Sequence, residues 1–528
     1  MLSSMLNSGV PASVFLVALG IVYLWRFYSR ADSRFPPGPR GLPLLGNILQ
    51  VPGKVDLSYL SHTATYFRRL IEEYGSLVSL NLAGQTVILL GDMKIAKELL
   101  EKRSAKYSSR PVIPYFRKHV DPESDIWIFA DEGEHHSRGR KLTTAIMSLV
   151  RAGKTEPLQE YEATLNIQHL LDDRGKDWFH HMKRVVSSSV LMAGFGIHCP
   201  TGHEPELKTF LDVSVNLISV QCIYHITNFF PSLDLIPGPM PWRTRAQSFQ
   251  KRNDAMYEKL VDDAVTGKAS GIDTWAAFFA NKDKPEGDQR RLAAIETTMI
   301  SLLTFVLACI RYPDWVVTAQ REIDNAVGTD RLPTFKDRPY LPYVEAIVRE
   351  TLRWRPAIRF GVPHRSTADD IIEHQGEQYF IPKNSIILAV TWAIEHDQSY
   401  FEDHDRFMPE RFLDSEGKLK PGYATSAFGL GRRTCPGIPF AERSLWINIA
   451  TMLWTFNIRP SNEIDPRTGV PFQYDDSDAA FNGDITNMPL KFPVVFEPRS
   501  PQRIEVARRE WAEREKDLNI LMPALNDS

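Results

Sequence analysis

The chain is expected to fold as one large, mainly α-helical domain with smaller β-sheets, preceded by a transmembrane helix. Three observations lead there. Helical hydrophobic periodicity dominates the middle of the 528 residues. Strand-like patterns are confined to short stretches, 77–92 and 376–394 above all. An uncharged apolar run stands near the N-terminus. Composition is that of a globular protein, 43% hydrophobic and 24% charged, and the net charge of −3 with no basic stripe gives no sign of nucleic-acid binding. Four scattered cysteines form no compact disulfide or zinc pattern, which suits a reducing compartment.

The elements follow in order. Residues 10–25 carry no charge, and Phe27 and Tyr28 extend the run towards the roughly 20 residues that span a bilayer, with Arg26 able to snorkel. Arg26, Arg30, Arg34 and Arg40 follow the run while no Lys or Arg precedes it. That asymmetry predicts an uncleaved single-pass anchor over 1–33 with the body on the cytosolic side. Residues 34–47, RFPPGPRGLPLLGN, form a proline-stiffened hinge. LVSLNLAGQTVILLGD (77–92) predicts a β-hairpin breaking at Gly84, and MKIAKELLEKR a short amphipathic helix. Residues 111–129 predict an apolar-rich loop. FFPSLDLIPGPMPW (229–242) reads either as a buried loop or as a second membrane contact. Val344, Ile347, Val348 and Leu352 recur at helical spacing in 341–356, which Pro356 ends. Residues 376–394 predict strands around a turn. No second linker divides the body, taken as 48–500. The tail, 501–528, is charged all round and predicts a solvated helix.

The chemistry concentrates in FGLGRRTCPG, where Phe428, Gly431, Arg433, Cys435 and Gly437 share ten residues. Glycines let a backbone turn tightly and approach a flat ligand. A cysteine just ahead of the apolar run after Pro436 lies near a helix N-terminus, whose free N–H groups favour the thiolate. Arg433 suits a carboxylate such as a propionate.

With this motif the sequence resembles the cytochrome P-450 family of haem-thiolate monooxygenases, whose haem-binding signature FxxGxRxCxG is matched in full. The family's ExxR appears as Glu350 and Arg353, and its PERF intact at 409–412, with Arg411 expected to complete a buried triad. The resemblance covers roughly residues 10–500 and implies the family fold and haem b held by Cys435 as axial ligand. It implies propionate contacts from Arg433, Arg140, His136 and His364. His136 stands where the family usually has tryptophan. Phe428, Gly431 and Gly437 would form the cofactor cradle. Glu296 and Thr297 match the acid–alcohol pair that delivers protons during oxygen activation. Ile113, Tyr115, Phe116, Ile126, Trp127, Ile358, Phe360 and Ile485 resemble pocket-lining positions and suggest an apolar cavity. Arg359 among them would meet a substrate carboxylate or a surface salt bridge.

Two departures matter. Ala294 replaces a usual glycine, and the charged segment 282–291 ends only five residues before Glu296. Either that segment is helical or the oxygen-activating helix is short. The resemblance implies insertion of one oxygen atom from O2 into an apolar small molecule, in the style of microsomal filamentous-fungal members of secondary metabolism. The alternative is a haem-binding relative without monooxygenase activity. The 93 residues after Cys435 leave no room for a flavin domain. The resemblance implies NADPH-derived electrons from a separate NADPH–cytochrome P-450 reductase, assisted or not by cytochrome b5, at the endoplasmic reticulum membrane. Arg138, Lys141 and Arg432 would suit an acidic partner.

Overall fold

The computed structural model describes residue 20 and residues 34–52, 60–122, 126–220, 226–266, 274–276, 296–482 and 486–522, except 44, 230 and 424. Apart from residue 20, the expected anchor lies outside the described residues, as do the segment 282–291, Ala294 and Ile485. Among the described residues no single helix is long and apolar enough to cross a membrane.

The longer helices are α1 (Leu60–Tyr74), α2 (Pro114–His119), α3 (Glu134–Arg151), α4 (Glu156–Asp172), α5 (Trp178–Phe195), α6 (Pro205–Val220), α7 (Pro241–Val265), α8 (Glu296–Arg311), α9 (Asp314–Val327), α10 (Pro342–Trp354), α11 (Ile438–Thr455) and α12 (Pro501–Glu513). Helix α8 forms the middle of the core. Leu302, Leu303, Phe305, Val306, Ala308 and Cys309 are buried around its whole circumference, as expected of a helix with no polar face. Helices α5, α10 and α11 pack around it. The face predicted for α10 is the buried one, and Pro342 starts the helix where a missing N–H costs nothing.

Strands are few. β1 (Leu77–Leu82) and β2 (Gln85–Leu90) form the expected hairpin. Ala83 and Gly84 both take positive φ, 49° and 96°, as a two-residue turn matched to strand twist requires. β2 runs parallel to β6 (Ile386–Ala389), which pairs antiparallel with β3 (His364–Arg365). β2 is covered on both faces, Val87 and Leu89 in one hydrophobic cluster and Ile88 and Leu90 in another. β5 (Glu377–Ile381) and β6 flank a turn as predicted, yet do not pair with each other: β5 joins β4 (Asp370–His374). β7 (Phe456–Pro460) and β8 (Val494–Pro498) close the last two-stranded sheet.

Three expectations need correction. Residues 111–129 contain α2 and a 3-10 turn, Trp127–Phe129, because Tyr115 and Phe116 gain burial against the core. Residues 235–239 are exposed, with Leu235 at 78% of its full area, so the buried-loop reading of 229–242 does not hold. Helix α12 is not solvated all round. Val506 and Ala507 are buried, the Arg503 guanidinium lies 4.4 Å from the Trp454 ring centre, and Trp511 packs 5.2 Å from Tyr161. Long arginine and tryptophan side chains bury their stems while a charge pattern counts only their heads.

Candidate cofactor site around Cys435

The Phe428–Gly437 loop approaches the rest of the protein at backbone distance. Gly431 sits at φ +65°, and a Cβ there would lie 1.8 Å from the Leu100 carbonyl oxygen, so glycine is required twice over. At Gly437 a Cβ would meet Cys435 Sγ at an ordinary 3.6 Å. The Cys435 N–H donates to Phe428 O (2.8 Å) and Gly429 N–H to Ser426 O (2.9 Å), closing a tight turn just before α11. Cys435 is accessible. The protein around it nevertheless desolvates the sulfur and pushes the thiol up, while the Gly437 N–H and the Arg140 guanidinium pull it down. Sequence reasoning expected the helix terminus to favour the thiolate. Burial outweighs it, and a metal ion that displaces the proton would reverse the balance.

Beside this thiol the structure gathers three guanidiniums and two imidazoles from four segments. Arg433 donates to the carbonyls of Ser108 (2.7 Å) and Ala130 (2.8 Å). Arg110 donates to those of Pro363 (2.6 Å), Val362 and Ile128, and Arg140 to that of Thr434. His364 Nδ1 donates to Tyr107 O at 2.8 Å, an acceptor only, which fixes that tautomer. His136 is buried and its Nε2 has no partner among the described residues. Burial and then the Arg433 charge bring Arg110 down to about 9; burial brings Arg433 down to about 10. Burial, with the arginines, holds His136 at about 4 and His364 at about 3, so both are neutral. The nearest carboxylates are engaged elsewhere, Asp131 with Arg365 (2.8 Å) and Glu132 with Arg432. Three guanidiniums that among the described residues hydrogen-bond to neutral carbonyls alone, beside a thiol and an orphaned imidazole nitrogen, fit a flat ligand bearing two carboxylates and a metal that accepts sulfur. The residues present therefore fit haem. Arg110 was missed by sequence reasoning; a single arginine in a loop carries no signal until the fold brings it to Arg433.

The acid–base triad is assembled in the core. Arg353 Nε and Nη2 donate to the two Glu350 oxygens at 2.6 and 2.9 Å, both side chains fully buried. Arg411 Nε donates to Glu350 Oε1 at 3.2 Å. The two arginines also donate to the carbonyls of Glu395, Glu402, Asp403, His404 and Arg406, holding that stretch of chain.

Other expected residues are dispersed. Thr297 is half-buried at the start of the described part of α8; among the described residues no hydrogen bond joins it to the cationic cluster, and the Glu296 side chain lies outside those residues. Phe116 is in the main core against Phe129 (5.4 Å), with Ile113 packed on that core. Trp127 lies over Gly139 of α3 and 5.8 Å from the His136 ring, beside the cluster. Ile358 bridges to Thr486. Phe360 belongs to a separate cluster with Val87, Val390 and Trp392, so the structure does not bring it together with Phe116. Of the two readings of Arg359, the structure favours the salt bridge, made to the partly exposed Asp478. Arg359 itself is 2% exposed and stacks 4.2 Å from Trp392.

A mainly helical body that offers one thiol beside unneutralised guanidiniums meets the needs of a protein holding a metalloporphyrin by cysteine. The chain belongs to the cytochrome P-450 family: the family model matches residues 36–473. It is similar to cytochrome P-450 monooxygenase 58 of Postia placenta (33% identity, covering 87% of this chain and 89% of that one). It is also similar to a cytochrome P-450 monooxygenase of Armillaria gallica (32%; 95% and 97%) and to cytochrome P-450 monooxygenase peniB of Penicillium patulum (32%; 90% and 87%). Membership makes the protein an oxidoreductase of the monooxygenase type, with a haem-iron cofactor.

Proposed function

We propose that this enzyme inserts one oxygen atom of dioxygen into an apolar small molecule of fungal secondary metabolism, at the endoplasmic reticulum membrane, using NADPH-derived electrons from a separate reductase. The observation that carries the reading is the accessible Cys435 thiol beside Arg110, Arg140 and Arg433. Cys435 would hold the haem iron through its sulfur, and the haem would supply the binding and reductive cleavage of dioxygen. The three arginines would bind and orient its two carboxylates, and His136 Nε2 would offer a further polar contact. Thr297 Oγ1, with Glu296 before it, is the group assigned to proton delivery. Membrane association is supported by the charge asymmetry around residues 10–25 and by the exposed apolar corner at Leu235 and Ile236, which Arg243 stiffens by donating to the Ile236 and Gly238 carbonyls. Among the basic residues suited to an acidic redox partner, Arg432 stays exposed although paired with Glu132.

The second reading, a haem-thiolate protein without monooxygenase activity, is favoured by one observation, the five-residue separation of Arg291 from Glu296. Co-expression with a reductase separates the two. The first expects a red-shifted carbon-monoxide Soret band together with NADPH oxidation matched by oxygenated product. The second expects the same band with NADPH oxidation uncoupled from product. Loss of the band in wild type, or its survival in Cys435→Ser, would sink both.

A further inference from the structure

The side chains of Glu350, Arg353 and Arg411 bind one another and the chain around 402–408, but among the described residues none hydrogen-bonds to the loop at 428–437 that presents Cys435. Glu395 spans the gap. Its backbone carbonyl accepts from Arg353 Nη1 at 2.8 Å. Its carboxylate is fully buried. Oε1 accepts from the Ser426 N–H (2.5 Å), Ser426 Oγ (2.8 Å) and Thr425 Oγ1 (3.0 Å), and Oε2 from the Tyr423 hydroxyl (3.1 Å). Ser426 then receives Gly429 N–H on its own carbonyl, and Phe428 receives Cys435 N–H. A continuous line of hydrogen bonds thus runs from the buried Arg353 guanidinium, through Glu395 and Ser426, to the turn that aims the sulfur.

We propose that Glu395 is a positioning residue for Cys435, transmitting the fixed place of the triad to the cysteine loop. The proposal rests on the reading of Cys435 as axial ligand. A buried carboxylate that only stabilised the fold would, on removal, lower the melting temperature and leave the sulfur–iron bond of the folded fraction as it was. A carboxylate that sets the loop changes that bond in protein that is still folded.

Holoenzyme carrying Glu395→Ala, Glu395→Gln, Thr425→Val or Ser426→Ala is reduced under carbon monoxide, and the ratio of the red-shifted Soret band to the unshifted one is read on the folded fraction. Glu395→Ala is expected to lower that ratio about tenfold, the scale of one lost buried hydrogen bond to a charged group. Glu395→Gln, which keeps an acceptor towards Ser426, is expected to restore most of it, and Ser426→Ala to shift it part of the way. A wild-type ratio in folded Glu395→Ala overturns the proposal. Should Glu395→Ala fail to fold, wild-type ratios in both Ser426→Ala and Thr425→Val overturn it, whereas a fall in either upholds it. Survival of the red-shifted band in Cys435→Ser would refute the ligand assignment itself and is distinguishable from either result.

Discussion

At the scale of single residues, the two signature glycines differ in what requires them. Gly431 is fixed by a positive φ and by the Leu100 carbonyl, whereas a methyl at Gly437 meets only the neighbouring sulfur at contact distance. Gly431→Ala is therefore expected to cost at least about 1–3 kcal/mol of local strain and to reduce haem incorporation, measured as haem absorbance per folded polypeptide. His396 is a second residue with a measurable signature. It is buried, its ring centre is 3.9 Å from that of Trp392, and burial together with the Arg353 and Arg355 charges holds it well below the ordinary histidine range. The unfolded chain takes up the proton that the folded one refuses. Stability is thus intact above about pH 6.5 and falls as the pH drops below it, by about 1.4 kcal/mol per pH unit for one such group. Melting temperatures measured from pH 8 to pH 5 should decline less steeply in His396→Gln than in wild type.

At the scale of elements, the spacing of Glu350 and Arg353 places both on one face of α10, and this much is legible from the letters. What the pair holds is not, because the carbonyls of Glu395, His404 and Arg406 come from chain some 40 to 50 residues later. Arg353→Ala leaves Glu350 as a buried carboxylate with only Arg411 beside it, so a loss of about 3–5 kcal/mol is expected. Denaturant unfolding of the purified variant, compared with wild type, checks the figure. The hairpin β1–β2 was readable because its turn and its alternation are local. The parallel pairing of β2 with β6 was not, since register between strands nearly three hundred residues apart leaves no local pattern.

At the scale of the whole molecule, the tail behaves as a strap. Helix α12 and the turn Leu518–Leu521 lie along α4, with Arg503 and Arg499 both paired to Asp324 (2.6 Å) and Leu521 and Met522 buried. Deleting residues 501–528 uncovers Trp454 and Tyr161, and at about 1.5–3 kcal/mol for each buried apolar side chain the truncated protein should lose on the order of 5 kcal/mol. A lowered melting temperature with an unchanged carbon-monoxide spectrum in the surviving fraction would mark the strap as a stabiliser that leaves the site alone. An unchanged melting temperature would contradict the packing described.

The sequence by itself determined the chemistry of the centre: the cysteine, the glycine that lets its loop approach, the paired acid and base on one helix, and a helix-dominated fold. Each of these is a local pattern, set by backbone conformation or by helical spacing over a few residues. Only the tertiary structure decided that Arg110 joins Arg140 and Arg433, that Glu395 reaches Ser426, that Phe360 belongs to another cluster, and that a tail dense in charge is half buried. Those outcomes depend on which distant segments share a dry interior, where a guanidinium or carboxylate must find a partner or remain poised for one.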